Sequence, residues 1–312
     1  MACVDLPFHK YQALGNDFVL LDMRAVAVPD PAGLSALLCR RTTSIGADGL
    51  ILVRPDERGA ARMEFYNPDG SRAAMCGNGI RCVARFLRDL AWETADRFDI
   101  MTDAGPREVR ILPDGVAADL GAPAFEPGRI PISAGTCDPR RLDVPLEGGP
   151  DLPPAVCLSI GNPHCVFFVR DVGAYPVAAV GPRVERHALF PARINVIFAE
   201  LSAPGVLACR VWERGAGETR ACGTGAAAAV IAATVRGVVD GTARVRLPGG
   251  ILDVAWDRRA GVAIAGAVER VFRGTIPVPE MLACREDAAR PPRDCAADPC
   301  PAREIDPVQA AR

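Results

Sequence analysis

"MCGNGIRC", residues 75–82, sets a cysteine directly before Gly-x-Gly and a run that reads as a helix, and "ACGTGAAA", residues 221–228, does the same. The two cysteines are 222 − 76 = 146 positions apart, and the Gly-Asn pairs of "ALGNDFVLL" and "SIGNPHCVFF", beginning at Gly15 and Gly161, keep that interval. It carries "MEFYN", residues 63–67, onto "CRVWE", residues 209–213, and Gly49 of "IGADG" onto Asn195 of "ARINV". Four matches in one order point to two copies of a single folding unit.

Within each copy, short stretches of alternating apolar and polar residues, such as "FVLLD", "MEFYN", "VCLSI", "CVFFV" and "CRVWE", are separated by Gly, Pro, Asp and Asn. These predict strands and turns too closely spaced for a regular βαβ layout. Each copy also has one strong helix. "GNGIRCVARFLRDLAW" places Ile80, Val83, Ala84, Leu87 and Leu90 on one face, whereas "GTGAAAAVIAATVRGVV" is apolar nearly all round and must be surrounded. The fold class expected is α+β: two pseudo-symmetric copies of a mostly antiparallel, curved, barrel-like sheet wrapped around a central helix, with the active site in the cleft between them. The first copy should span residues 1–122 with a returning segment at 268–283, and the second 123–267. A Gly- and Pro-rich crossover at about 121–155 joins them. The Pro-, Ala-, Arg- and Asp-rich stretch 284–312 is expected to be a disordered tail, with Cys295 and Cys300 as exposed thiols of no function.

Composition narrows the chemistry. A formal charge of −2 over 312 residues gives no basic surface for a nucleic acid. No apolar run approaches the roughly 18 residues of a membrane span, and the start "MACVDLPFHKYQ" lacks the apolar centre of a secretion signal, so a cytoplasmic protein without a membrane partner is expected. The 12 cysteines form no compact secreted framework, and without Cys-x-x-Cys and with only His9, His164 and His187 no metal site is expected. Lys10 is the only lysine, so pyridoxal phosphate could form its Schiff base nowhere else. The chemistry is expected to need no cofactor.

A cysteine at a helix start has a specific use. The first N–H groups of a helix lack internal partners and favour anions. A free thiol at pH 7 lies about 2 kcal/mol short of its thiolate, and a helix end offers roughly 0.3 to 2 kcal/mol, the right size to close that gap, so such a start can serve a thiolate, a substrate carboxylate, or both. Two such cysteines across one cleft suit inversion of a carbon acid: a thiolate takes the proton from one face while a thiol delivers one to the other. A duplicated fold supplies the near-symmetric site this needs, and the helix starts would hold the carboxylate whose charge grows in the transition state.

Taken together, "LGNDFVLLD", "IGADGL", "YNPDGSRAAMCGNGIRC", "GNPHCV", "RINVIF" and "VWERGAGETRACGTGAAAA" resemble the diaminopimelate epimerase family over roughly residues 8 to 276. The resemblance implies a cofactor-independent isomerase that interconverts LL- and meso-diaminopimelate for lysine and cell-wall precursor synthesis, working as a cytoplasmic homodimer. It implies Cys76 and Cys222 as the acid and base pair, assisted by His164 and Glu213. Gly77, Asn78, Gly223 and Thr224 would receive the reacting carboxylate; Asn16, Asn67, Asn162, Asn195 and Arg214 would hold the distal amino acid end. Gly49 stands where some relatives place a substrate-touching glutamine, and "RTTS" departs from the family pattern before it. The alternatives are a related racemase of another amino acid and, from a different class, a thiol redox or amino-acid-binding protein.

Overall fold

The interval that relates the two cysteines relates the whole succession of elements. In the computed structural model, which describes residues 3–24, 26–133 and 138–285, the first copy opens with β1 (Cys3–Ala13), β2 (Asn16–Asp22), β3 (Val26–Ala27), α1 (Pro31–Leu38) and β4 (Gly49–Arg54). It continues through β5 (Ala61–Tyr66), β6 (Arg72–Ala73), α2 (Gly77–Asp89), β7 (Arg97–Thr102), β8 (Gly105–Leu112) and β9 (Gly115–Asp119). The second copy runs β10 (Val156–Ser159), β11 (Pro163–Phe168), α3 (Val177–Glu185), β12 (Asn195–Ala203), β13 (Val206–Glu213) and β14 (Gly217–Thr219). It ends with α4 (Gly223–Val235), β15 (Thr242–Leu247), β16 (Gly250–Asp257) and β17 (Gly261–Gly266), after which come β18 (Glu269–Pro279) and β19 (Cys284–Arg285). Shifted by 146, both ends of α2 land on both ends of α4.

Strand pairing repeats as faithfully. In the first copy β1–β2 is antiparallel, β2–β4 parallel, β4–β5 antiparallel, β5–β7 parallel and β7–β8–β9 antiparallel. The second copy has the same senses in β10–β11, β11–β12, β12–β13, β13–β15 and β15–β16–β17. An antiparallel seam, Asp119↔Ala263 through Val116↔Gly266, joins β9 to β17 and makes one sheet of 17 strands. β18 then returns to pair with β1 over Cys3↔Pro279 to Gln12↔Glu269.

In each copy the central strands are covered on both sides, and side-chain alternation assigns the layers. Phe18 and Leu20 of β2 and Ile51 and Val53 of β4 point at α2, where Ile80, Val83 and Leu87 meet them. Their neighbours Val19, Leu21, Leu50 and Leu52 point the other way, onto Leu34 and Leu38 of α1. In the second copy Val166 and Ile197 face α4, whereas Cys165, Phe167, Val196 and Phe198 face α3. This double cover explains why the central strands read as nearly unbroken apolar runs. α4 is wrapped most closely: Ala226 through Ala233 are all 0% exposed.

Three features go beyond the sequence expectation. The outer helices α1 and α3 were not expected beside the central ones, because they are short and poorly patterned. α1 starts on Pro31 under an Asp30 side chain that caps Gly33, and α3 carries Pro182 inside it. The expected tail begins later than residue 284, since Cys284 and Arg285 pair as β19 with Ala27 and Val26 of β3. The rest of that tail, 286–312, with Cys295 and Cys300, lies outside the described residues. The Gly- and Pro-rich crossover is not bare linker, for Ile130, Leu142 and Val144 are buried against α3 and its strands.

Candidate active site

Both cysteines occupy the residue before the first helical turn. Cys76 and Cys222 have extended backbones, with φ −137° and −127°, and each sulfur accepts the N–H three residues on, from Gly79 at 3.4 Å and from Gly225 at 3.3 Å. Each thiol thus sits where a serine or aspartate usually caps a helix. The two helix starts nearly touch. A Cβ on Gly223 would lie 3.3 Å from Asn78 Oδ1 and 2.8 Å from Ile264 Cδ1, and one on Gly77 would lie 4.0 Å from the Gly223 Cα. The glycines are what allow this approach.

The two starts open into one cavity of about 830 Å³. Of the residues singled out in the sequence, Cys76, Cys222, Asn16, Asn67, Gly77, Asn78, Asn162, Asn195, Glu213, Arg214, Gly223 and Thr224 line it. The repeat is visible in its hydrogen bonds. Asn78 donates to Asn16 Oδ1 at 3.1 Å, and at the positions 146 further on Asn162 donates to Thr224 Oγ1 at 3.3 Å. In each copy the second helical residue is thereby tied to its own Gly-Asn turn. Asn195 clamps the second copy from below, donating to the Pro163 carbonyl at 2.8 Å and accepting the Arg214 N–H at 2.9 Å. It holds the loop that presents Glu213 and Arg214.

Two singled-out residues do not line the cavity. His164 is completely buried on β11 and reaches the site through Asn162, its Nε2 lying 2.9 Å from Asn162 Oδ1. That oxygen only accepts, so Nε2 carries the hydrogen and Nδ1 is left as a buried acceptor without a partner. Gly49 is the second. It lies buried in β4 beneath the Phe65 ring, where a Cβ would come within 2.3 Å of Phe65 Cε2, and Phe65 lines the cavity in its place. Gly49 makes room for an aromatic wall.

Several lining groups were not singled out. Asp48 accepts from Asn16 Nδ2 at 2.7 Å and pairs with Arg41 at 2.6 Å; Thr219 donates to Glu213 at 2.5 Å; Arg72, Arg107 and Arg220 stand at the rim. Asp48, Arg72, Thr219 and Arg220 all lie within the quoted motifs, so proximity in sequence was the available signal. Lys10 is buried beside Asp17 at 2.7 Å and lies outside the cavity lining.

Burial sets the ionisation of both thiols against their helix ends. Burial pushes Cys76 up to about 11, against the pull of the Gly79 N–H. Burial, and then the Glu213 carboxylate beside it, push Cys222 well above its ordinary value. Burial also raises Glu213, opposed by its bonds from Thr219 and Cys222. Burial, and then Arg214, push His164 down to about 3, so its imidazole is neutral. In such a place desolvation outweighs the modest benefit of a helix end. Burial thus favours the neutral thiol at both cysteines and the neutral imidazole at His164.

The chain matches the family model described as diaminopimelate epimerase over residues 8–126 and 156–271. It is 45% identical over 278 residues to the diaminopimelate epimerase of Moorella thermoacetica, covering 87% of this chain and 99% of that protein. The diaminopimelate epimerase of Nostoc punctiforme is 43% identical over 279 residues, with 87% and 99% covered. A solved hydroxyproline epimerase from Agrobacterium vitis, with bound trans-4-hydroxy-L-proline, superimposes with a TM-score of 0.65 at 16% identity over 88% of this chain and 93% of that one. A phenazine biosynthesis protein of the PhzF family from Bacillus anthracis gives a TM-score of 0.61 at 18% identity over 88% and 99%. At such identities these two structures show a shared fold and no more. Because the family match takes in both copies, and with them both cysteine-capped helices, the chain belongs to the diaminopimelate epimerase family of isomerases.

Proposed function

We propose that this protein epimerises LL-diaminopimelate to the meso form by a two-thiol mechanism that needs no cofactor. One observation carries the reading: two cysteines related by the internal repeat cap two helices whose starts abut in a single cavity. The first N–H groups of α2 and α4, at Gly77, Asn78, Gly223 and Thr224, have no intrahelical acceptors and converge where a substrate carboxylate can sit. The α-ammonium brings a positive charge close to the sulfurs and favours one thiolate, with Glu213 and Asn162, held by His164, placed to receive it. That thiolate removes the α-proton, the helix ends stabilise the charge gathering on the carboxylate, and the opposite thiol delivers a proton to the other face. Each turnover leaves the thiol roles exchanged, ready for the reverse reaction. The distal amino acid end meets Arg214, a planar cation suited to a carboxylate, with Asn67 among the neutral acceptors for its ammonium.

Purified protein should invert LL-diaminopimelate in heavy water and leave deuterium on the α-carbon of the product, with a panel of other amino acids tested alongside. Inversion of a different member of the panel alone, or product without deuterium, would refute the assignment. Two further readings accompany it. The buried cysteines Cys39, Cys82, Cys157, Cys165 and Cys209, like Cys76 and Cys222, are thiols without disulfides, which fits a reducing cytoplasm and a place in lysine and cell-wall precursor synthesis. Val271 and Phe272 on β18, 53% and 46% exposed, suit a homodimer contact; sedimentation as a monomer at micromolar concentration would oppose it.

A further inference from the structure

One charged group beside the cleft has no part in the mechanism above. Arg81, on the second turn of α2, is 0% exposed. Its Nη2 donates to Asn78 Oδ1 at 2.8 Å and its Nη1 to the Ala267 carbonyl at 3.3 Å, while Nε is buried with no acceptor. A guanidinium keeps its proton in proteins, so this is a full positive charge inside the fold. Among the described residues no carboxylate pairs with it, and the ionisable groups acting on it are the thiols Cys76 and Cys82. An unpaired buried ion is costly, and a cation near a helix start is set against the dipole. The fold itself does not require one: 146 residues on, α4 carries Ala227 at the same place.

What the charge gains lies on the cleft side. By occupying Asn78 Oδ1, Arg81 fixes which way that amide points. Its Nδ2 then faces Asn16 Oδ1 at 3.1 Å and the Ala221 carbonyl at 3.4 Å, at the junction of the two helix starts. The second copy is built with the opposite sign, for Glu213 lies beside Cys222 where the repeat gives the first copy Asn67. Cys76 is faced by Arg81 and Cys82 from its own helix, by the N–H groups of Asn78 and Gly79, and by Glu213 from β13. Cys222 is faced by Glu213, Thr224 and the Gly225 N–H, with no cation among them.

We propose that Arg81 is a positioning residue that locks the Asn78 amide as a donor toward the cleft and makes Cys76, rather than Cys222, the first thiol to ionise before substrate binds. The inference rests on the two-thiol reading of the cleft and gives the near-symmetric pair a resting direction. It predicts an order of reaction with a small alkylating agent. Iodoacetamide labelling of the full chain without substrate, from pH 6 to 10 and read by peptide mass, should modify Cys76 at lower pH than Cys222. In Arg81→Met the Cys76 profile should move to higher pH while that of Cys222 stays. Arg81→Lys should restore most of that shift yet keep a reduced kcat, since an ammonium cannot hold both Asn78 and the Ala267 carbonyl. Labelling of Cys222 first in the wild-type chain, or an Arg81→Met profile that is unmoved or shifts both thiols alike, would overturn the proposal. Should Arg81→Met fail to fold, the wild-type order still decides. Because alkylation needs no substrate, its outcome is separate from whether diaminopimelate is the substrate.

Discussion

Cys76 and Cys222 carry two duties that a substitution can separate. As helix caps they hold one N–H each through sulfur, a weak acceptor, so Cys76→Ala or Cys222→Ala should cost stability only near the low end of the roughly 0.5 to 2 kcal/mol typical of lost caps. As acid and base each is needed in every turnover, and either change should lower kcat by about 10² to 10⁴ or more. Circular dichroism melts beside the deuterium assay would check this; a variant that unfolds as it loses activity would mean the cap mattered more than the chemistry. Gly49 is the converse case, a residue whose position in a motif suggested substrate contact and whose surroundings show packing. Gly49→Ala should destabilise by about 1 to 3 kcal/mol through collision with Phe65, measured by urea unfolding, and a rise in KM with unchanged stability would contradict that. Both cysteines were legible because a helix start announces itself in a few adjacent residues. The burial that raises their ionisation range was not, since it depends on strands far away in sequence.

At the scale of elements, the repeat made the central helices and most strands legible, because spacing survives where residue identity does not. What it could not convey is how differently the two copies fill the same frame. Phe86 and Leu87 of α2 correspond to Ala232 and Ala233 of α4, and all four are 0% exposed. The second core is therefore filled with alanine at positions where the first holds phenylalanine and leucine. Ala232→Phe, which copies the first unit into the second and raises hydrophobicity, should overpack that core and lower the melting temperature sharply or prevent soluble folding. The reverse change, Phe86→Ala, should cost about 3 to 5 kcal/mol as a cavity. An Ala232→Phe protein as stable as the wild type would show that the two sheets can breathe independently. The outer helices escaped notice for a related reason: eight or nine residues interrupted by Gly or Pro carry too little periodicity to be seen, and only the second face of the strands reveals that something covers them.

The whole molecule should be stable only within a pH range set by buried groups that the fold keeps neutral. On the alkaline side, Cys76 is pushed up to about 11 and Cys209 to about 12 from an ordinary value of 9.0. Unfolded, these thiols would ionise near 9, so the stability their neutral forms contribute is lost as pH climbs from there through 11 and 12. On the acid side the sign reverses through His164. Its unfolded form takes a proton near 6.5, whereas the folded form resists until about 3, so unfolding gains a proton and stability falls as pH drops below 6.5. Within that window the slope from this one imidazole is roughly 1.4 kcal/mol per pH unit. His164→Gln keeps a donor for Asn162 Oδ1 and removes the titration, so urea unfolding of variant and wild type at pH 7, 6, 5 and 4 should show the variant gaining on the wild type step by step. Parallel stability curves across those four points would mean that His164 takes up its proton without leaving its place, and that the link it makes to the cleft is not a neutral one.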